Sequence, residues 1–239
     1  NQQLVAIQQP KKLYLEDLKG IERQKAKIIQ NTLQFLNGLP ANDVLLTGSR
    51  GTGKSSIVRA LLTEYSAQGL RLIEIERDDL SDLPKIQKLI EHRPEKFIVY
   101  CDDLAFNAED ENYRSLKSVL DGSLQSGSSN FIIYATSNRR HLVRERAGDK
   151  LEVGADDDIH SSDTVQEKLS LVARFGVTIY FGKPDKKEFQ KIVTTLADRY
   201  GVEMEEEKLL LEANKWELSH GGLSGRTAQQ FIDYLLGQQ

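Results

Sequence analysis

The stretch "TGSRGTGKSS" at residues 47–56 constrains this chain more than any other. An apolar run, "DVLLT" at 43–47, precedes it and reads as a buried strand, and helical spacing follows over residues 54–66. Gly48, Gly53, Lys54 and Ser55 satisfy the pattern Gly-x-x-x-x-Gly-Lys-Ser. Glycines at 48, 51 and 53 let the backbone curl until its N–H groups converge, an arrangement that suits an anion. The helix starting there adds the positive end of its dipole. Strand, glycine loop and helix in that order make a phosphate cradle, the P-loop, built from Gly48, Ser49, Arg50, Gly51, Thr52, Gly53, Lys54, Ser55 and Ser56. In such a cradle the lysine reaches the β- and γ-phosphates and the serine hydroxyl ligates Mg2+. ATP and Mg2+ are the expected ligands.

Periodicity organises the rest of the chain. "LRLIEIE" (70–76), "KFIVYCDD" (96–103), "NFIIYATSN" (130–138) and "VTIYF" (177–181) read as further strands. Helical spacing marks residues 21–36, 83–92 and 112–122, the last with Gly122 as its stop. Five strands separated by helices or long connections predict an α/β fold, a five-stranded parallel P-loop sheet with helices on both faces. After Pro184 the strands cease, and residues 185–201, 205–221 and 223–237 read as three helices. The expected units are a lead-in over 1–40, a nucleotide-binding core over 41–183 and a small helical lid over 184–239. The acidic, turn-rich residues 147–164 read as a mobile loop.

A carboxylate completing the Mg2+ shell belongs at the end of another parallel strand, and "FIVYCDD" supplies two. Asp102 is the expected metal ligand, direct or through water, and Asp103 the group that polarises the attacking water.

With these stretches in view, the chain resembles the AAA+ ATPases over nearly its whole length, and in detail an uncharacterised bacterial AAA+ family of unknown function. The residues that carry the resemblance are "LLTGSRGTGKSS", "FIVYCDDLAF", "YATSNRRHL", "RFG" before the last strand, and the lead-in "LKGIERQ". It implies that Asn138 positions the lytic water and that Arg174 reaches a neighbouring subunit, with Arg139 and Arg140 as rival fingers. Arg226 would contact the γ-phosphate of its own subunit, and Ile21 would pack beside the adenine. It also implies a homo-oligomer, a hexamer-like ring or a filament, acting on a protein or nucleic-acid client. Two departures temper this. Such proteins usually carry Glu where Asp103 stands, so slow hydrolysis is expected. Moreover, "RDDLSDLP" (77–84) lacks the aromatic grip of threading unfoldases.

Composition narrows the alternatives. The net charge of −4 argues against DNA binding through bulk charge, though a nucleic-acid loader stays open as a function. A slow or non-hydrolysing ATP-gated binding module is the other alternative. Cys101 is the only cysteine, which excludes an internal disulfide and favours a reducing, cytoplasmic setting. No apolar stretch reaches membrane-span length, so no membrane partner is expected. The chain opens on Asn1 without a signal-like segment, as a fragment of a longer protein would. The four histidines lack metal-ligand spacing. Trp216 is the expected anchor of the lid core.

Overall fold

The computed structural model describes residues 4–8, 10, 12–104, 111–125, 130–138 and 170–238. Arg139, Arg140 and the loop expected at 147–164 lie outside the described residues. Helix α1 (Glu22–Leu36) enters strand β1 (Val44–Gly48), which turns through the glycine loop into α2 (Lys54–Tyr65). Then come β2 (Leu70–Ile75), α3 (Leu83–Ile90), β3 (Lys96–Cys101), α4 (Glu111–Gln125), β4 (Phe131–Ser137) and β5 (Val177–Phe181). Three helices follow: α5 (Lys186–Tyr200), α6 (Glu206–Ser219) and α7 (Gly225–Leu236). No described helix is long and apolar enough to cross a membrane.

The five strands form one parallel sheet in the order β2-β3-β4-β1-β5. Its two faces bury alternate residues of the same strands, as the two-residue period of a strand requires. Leu45, Val99, Cys101, Ile133 and Ala135 pack under α3 and α4, whereas Leu46, Ile98, Tyr100, Tyr134 and Ile179 pack under α1 and α2. The α/β class with helices on both faces is therefore observed. Polar pins fix α1 to the sheet: the buried Tyr134 hydroxyl meets Thr32 Oγ1 at 2.8 Å and accepts from Asn31 Nδ2 at 3.1 Å. Helices α5, α6 and α7 share a third apolar cluster centred on Phe189, Val193, Ala213, Phe231 and Ile232. Trp216 packs against that cluster only partly buried, and its indole stacks on His220 with centroids 3.7 Å apart.

One helix end departs from expectation. Helix α4 runs through Gly122 to Gln125 instead of stopping there. Glycine inside a helix costs about 1 kcal/mol relative to alanine. The burial of Leu116, Val119 and Leu120 against the sheet outweighs it. Strand β3, in turn, ends at Cys101, so both acidic residues lie just beyond it.

Candidate nucleotide-binding site

Strand order explains why residues far apart in sequence converge here. Strand β4 lies between β1 and β3, so the loops leaving the carboxyl ends of these three strands share one edge of the sheet. The glycine loop follows β1, Asp102 and Asp103 follow β3, and Asn138 follows β4. Ligands of open α/β sheets bind outside this edge.

The loop's glycines have distinct reasons. Gly48 has φ 137°, and a Cβ there would overlap the Phe181 carbonyl of β5. Gly51 (φ 76°) faces the start of α7: a Cβ would stand 3.0 Å from Ser224 Oγ and 3.3 Å from Arg226 Cβ. Gly53 (φ 94°) is the N-cap of α2, and a Cβ there would lie 3.4 Å from Ile21 Cδ1. Ile21 is thus seated on the cradle's back wall, buried. Thr52 Oγ1 braces the turn by donating to the Ser49 carbonyl at 2.8 Å. Ser56, in the first turn of α2, is half-buried.

Lys54 is 5% exposed, and its ammonium donates to the carbonyl oxygens of Gly48 (2.8 Å) and Ser49 (2.7 Å) and to Asn138 Oδ1 (2.8 Å). Burial pulls its pKa down to about 8, although the Asp102 and Asp103 charges pull the other way. Asn138 passes the link onward, since its Nδ2 donates to Asp103 Oδ1 at 2.7 Å. The other Asp103 oxygen faces Arg50 Nη2 at 3.5 Å. Asp103 is the one described non-glycine residue with positive φ, 51°. This is a conformation that aspartate tolerates better than most side chains. The turn carries its carboxylate toward the loop, and Asp103 N donates to Thr136 Oγ1 at 2.8 Å.

Ser55 Oγ donates to Asp102 Oδ1 and Oδ2 at 3.0 and 3.2 Å. Burial alone would raise the Asp102 pKa, but the surrounding Thr136, Tyr100 and Ser55 hydroxyls and the Asp103 amide hold it below its ordinary value. A serine oxygen and one carboxylate, paired beside the glycine loop, suit Mg2+. That ion takes few protein ligands and completes its shell with phosphate and water oxygens. Among the described residues no group of three His, Cys, Asp or Glu forms a metal cage.

The unit of helices α5–α7 touches this loop. Gly225 N, at the start of α7, donates to the Gly51 carbonyl at 3.0 Å, and Ser224 caps the helix by accepting from Thr227 N. Arg226 is exposed next to it, near enough for its charge to act on Lys54. Arg174 is elsewhere: its guanidinium donates to Asp121 Oδ1 of α4 at 2.6 Å and to the Ser170 carbonyl at 2.7 Å. Thr136, Tyr100 and Ser224 do not stand out in the sequence as site residues. For the first two a signal existed, because Thr136 interrupts an apolar strand and Tyr100 shares the face of Asp102 two residues on.

A glycine loop with a buried lysine, a serine–aspartate pair at the carboxyl edge of a parallel sheet, and a helical unit touching the loop define the class. It is a parallel α/β module with a P-loop, followed by a helical unit. The chain belongs to the family described as Protein of unknown function (DUF815), whose model matches residues 1–239. Among solved structures it is similar to the Thermotoga maritima RuvB Holliday junction branch migration motor. The two share 15% identity over 92% of this chain and 71% of that one, with a TM-score of 0.49. Nothing about activity follows from a likeness at that level. No curated protein matches the chain.

Proposed function

We propose that this protein binds Mg2+-ATP in the cradle of residues 48–56, hydrolyses it slowly, and passes the nucleotide state to its helical lid. The observation supporting this reading is one hydrogen-bonded chain, Lys54–Asn138–Asp103, lying beside the Ser55–Asp102 pair. In this reading Lys54 exchanges its carbonyl partners for β- and γ-phosphate oxygens. Asp103 accepts a proton from the attacking water, and Asn138 holds that carboxylate and the water in line. Mg2+ held by Ser55 and Asp102 would supply charge neutralisation on the transferring phosphoryl group. Arg226, one residue from the Gly51–Gly225 contact, faces the γ-phosphate within the same chain and couples it to α7. Ile21 flanks the adenine. Arg174 acts in a homo-oligomer, a ring or a filament, by exchanging Asp121 for the γ-phosphate held by the next subunit.

Lys54→Ala should remove most ATP affinity in calorimetry, and unchanged binding would refute the cradle. Asp103→Asn should bind ATP like the parent and lose turnover, since an amide accepts no proton from water. Parent-like hydrolysis by that variant would end the assignment of the base.

A second reading, an ATP-gated binding module with little turnover, is favoured by one contact set. Asp103 is already engaged by Asn138 and Arg50, which competes with its use as a base. Steady-state turnover of the parent separates the two.

A further inference from the structure

Asp103 stands in a backbone conformation that few side chains adopt, and one residue of β4 holds it there. Its φ of 51° is strained for a residue with a side chain, and such strain persists only where the surroundings over-determine it. Thr136, 1% exposed, supplies those surroundings. Its carbonyl accepts from Leu104 N at 2.7 Å, and its Oγ1 accepts from Asp103 N at 2.8 Å. The same Oγ1 donates to Asp102 Oδ1 at 2.5 Å. One threonine thus grips residues 102, 103 and 104 in turn.

The polarity of these bonds is fixed. An amide only donates and a carboxylate only accepts, so the hydroxyl proton goes to Asp102 while a lone pair meets the Asp103 amide. Valine would fill the same buried space in β4 and make neither bond, so packing does not call for the hydroxyl. Two residues along the same strand, and on the same face of it, Asn138 Nδ2 donates to the Asp103 carboxylate at 2.7 Å. Strand β4 therefore holds Asp103 twice, by its backbone through Thr136 and by its side chain through Asn138.

We propose that Thr136 is a positioning residue for both acids: its hydroxyl orients the Asp102 carboxylate beside Ser55 and holds the turn that carries the Asp103 carboxylate to Asn138. What the two acids do rests on the Mg2+-ATP reading above, whereas the hold on the turn is a property of the free protein. Thr136 touches neither the phosphates nor the reacting water. Loss of such an outer partner of a metal ligand typically weakens metal affinity about 10- to 100-fold.

The test compares Thr136→Val, which removes the hydroxyl at nearly constant volume, with Thr136→Ser, which keeps it. In the free protein, amide hydrogen exchange followed by NMR reads the two amides that Thr136 receives. In Thr136→Val the Asp103 amide should exchange about fivefold faster or more, as loss of one hydrogen bond predicts. The Leu104 amide, bonded to the backbone carbonyl, should match the parent. A fluorescent ATP analogue is then titrated with Mg2+ at fixed nucleotide, and again in chelator without the ion. Half saturation of Thr136→Val should need about tenfold more Mg2+ or higher, with metal-free affinity like the parent's. Thr136→Ser should recover most of both effects. A threonine that only stabilises the sheet would instead loosen both amides together and leave the Mg2+ dependence where it was. Parent-like exchange at Asp103, or a parent-like Mg2+ dependence, in Thr136→Val overturns the proposal, and so does a Thr136→Ser as impaired as the valine variant. If the parent itself shows no Mg2+-dependent binding, the proposed function fails, and exchange at Asp103 alone then decides the hold on the turn. Should Thr136→Val not fold, Thr136→Ala is read against Thr136→Ser in the same way.

Discussion

Lys54 meets three oxygens before any phosphate arrives, two from the loop it follows and one from Asn138. The cation is preorganised, and the cost of its burial is visible in the pKa pulled down to about 8. The sign of the pH dependence follows. Below about 8 the free protein already carries the ammonium that phosphate needs. Above it the free lysine is increasingly neutral, so binding must take up a proton. ATP affinity should fall about tenfold per unit as pH rises above that value, until the pKa of the bound state is reached. Calorimetry in two buffers of different ionisation enthalpy should register the uptake near pH 8.5, a pH placed about half a unit above the shifted value. Lys54→Ala should abolish it. A flat affinity over that range would mean that another group supplies the charge.

Among the three helices after Pro184, α7 is the one whose first turn bonds to the cradle. Ser224 caps the helix, and Gly225 N reaches the Gly51 carbonyl, so loop conformation and lid position are one mechanical unit. Ser224→Ala should cost about 1 kcal/mol, the usual loss for a cap, seen as a lowered thermal midpoint. Gly51→Ala acts differently. It strains a position at φ 76° and pushes on Ser224. It should weaken ATP binding and raise hydrogen exchange across the first turn of α7, while the sheet keeps its protection. Unchanged exchange there would uncouple lid from loop.

At the scale of the whole molecule, the sheet core and the cradle share strands, so ligand binding should be readable from the core. Cys101 is 1% exposed at the end of β3, and burial pushes its thiol up to about 12. Alkylation should proceed only through opening of the sheet, since the thiolate is the reactive form. Mg2+-ATP should slow labelling of the parent by mass action and leave Lys54→Ala unaffected. Assembly is tested by mixing. Arg174→Ala chains should bind ATP and hydrolyse it poorly, because trans arginines in related phosphoryl transfer contribute about 10³-fold or more. Adding Lys54→Ala chains, which keep their Arg174, should restore part of the activity. No recovery in mixtures shown by sedimentation to co-assemble would leave Arg174 as a brace to Asp121.

Locally encoded features were legible without the fold. The glycine spacing of residues 48–53, the period-two strands and the amphipathic helices are set by φ preferences and by neighbours a few residues away. So the five strands, their parallel class and the helices after Pro184 could be read from sequence, with ends shifted by a residue or two. Other features depend on contacts between segments far apart. Placing β4 between β1 and β3 brings Thr136 and Asn138 to Asp102, Asp103 and Lys54, across separations of more than thirty residues. The run of α4 through Gly122 was settled by burial, which outweighs a local preference worth about 1 kcal/mol. The Arg174–Asp121 pair likewise arises only when the helices close over the sheet. The sequence by itself determined which chemical groups are available and the local shape of the loop that holds them. The tertiary structure alone decided which of them meet, because hydrogen-bond partners are chosen by distance in space and not by distance along the chain.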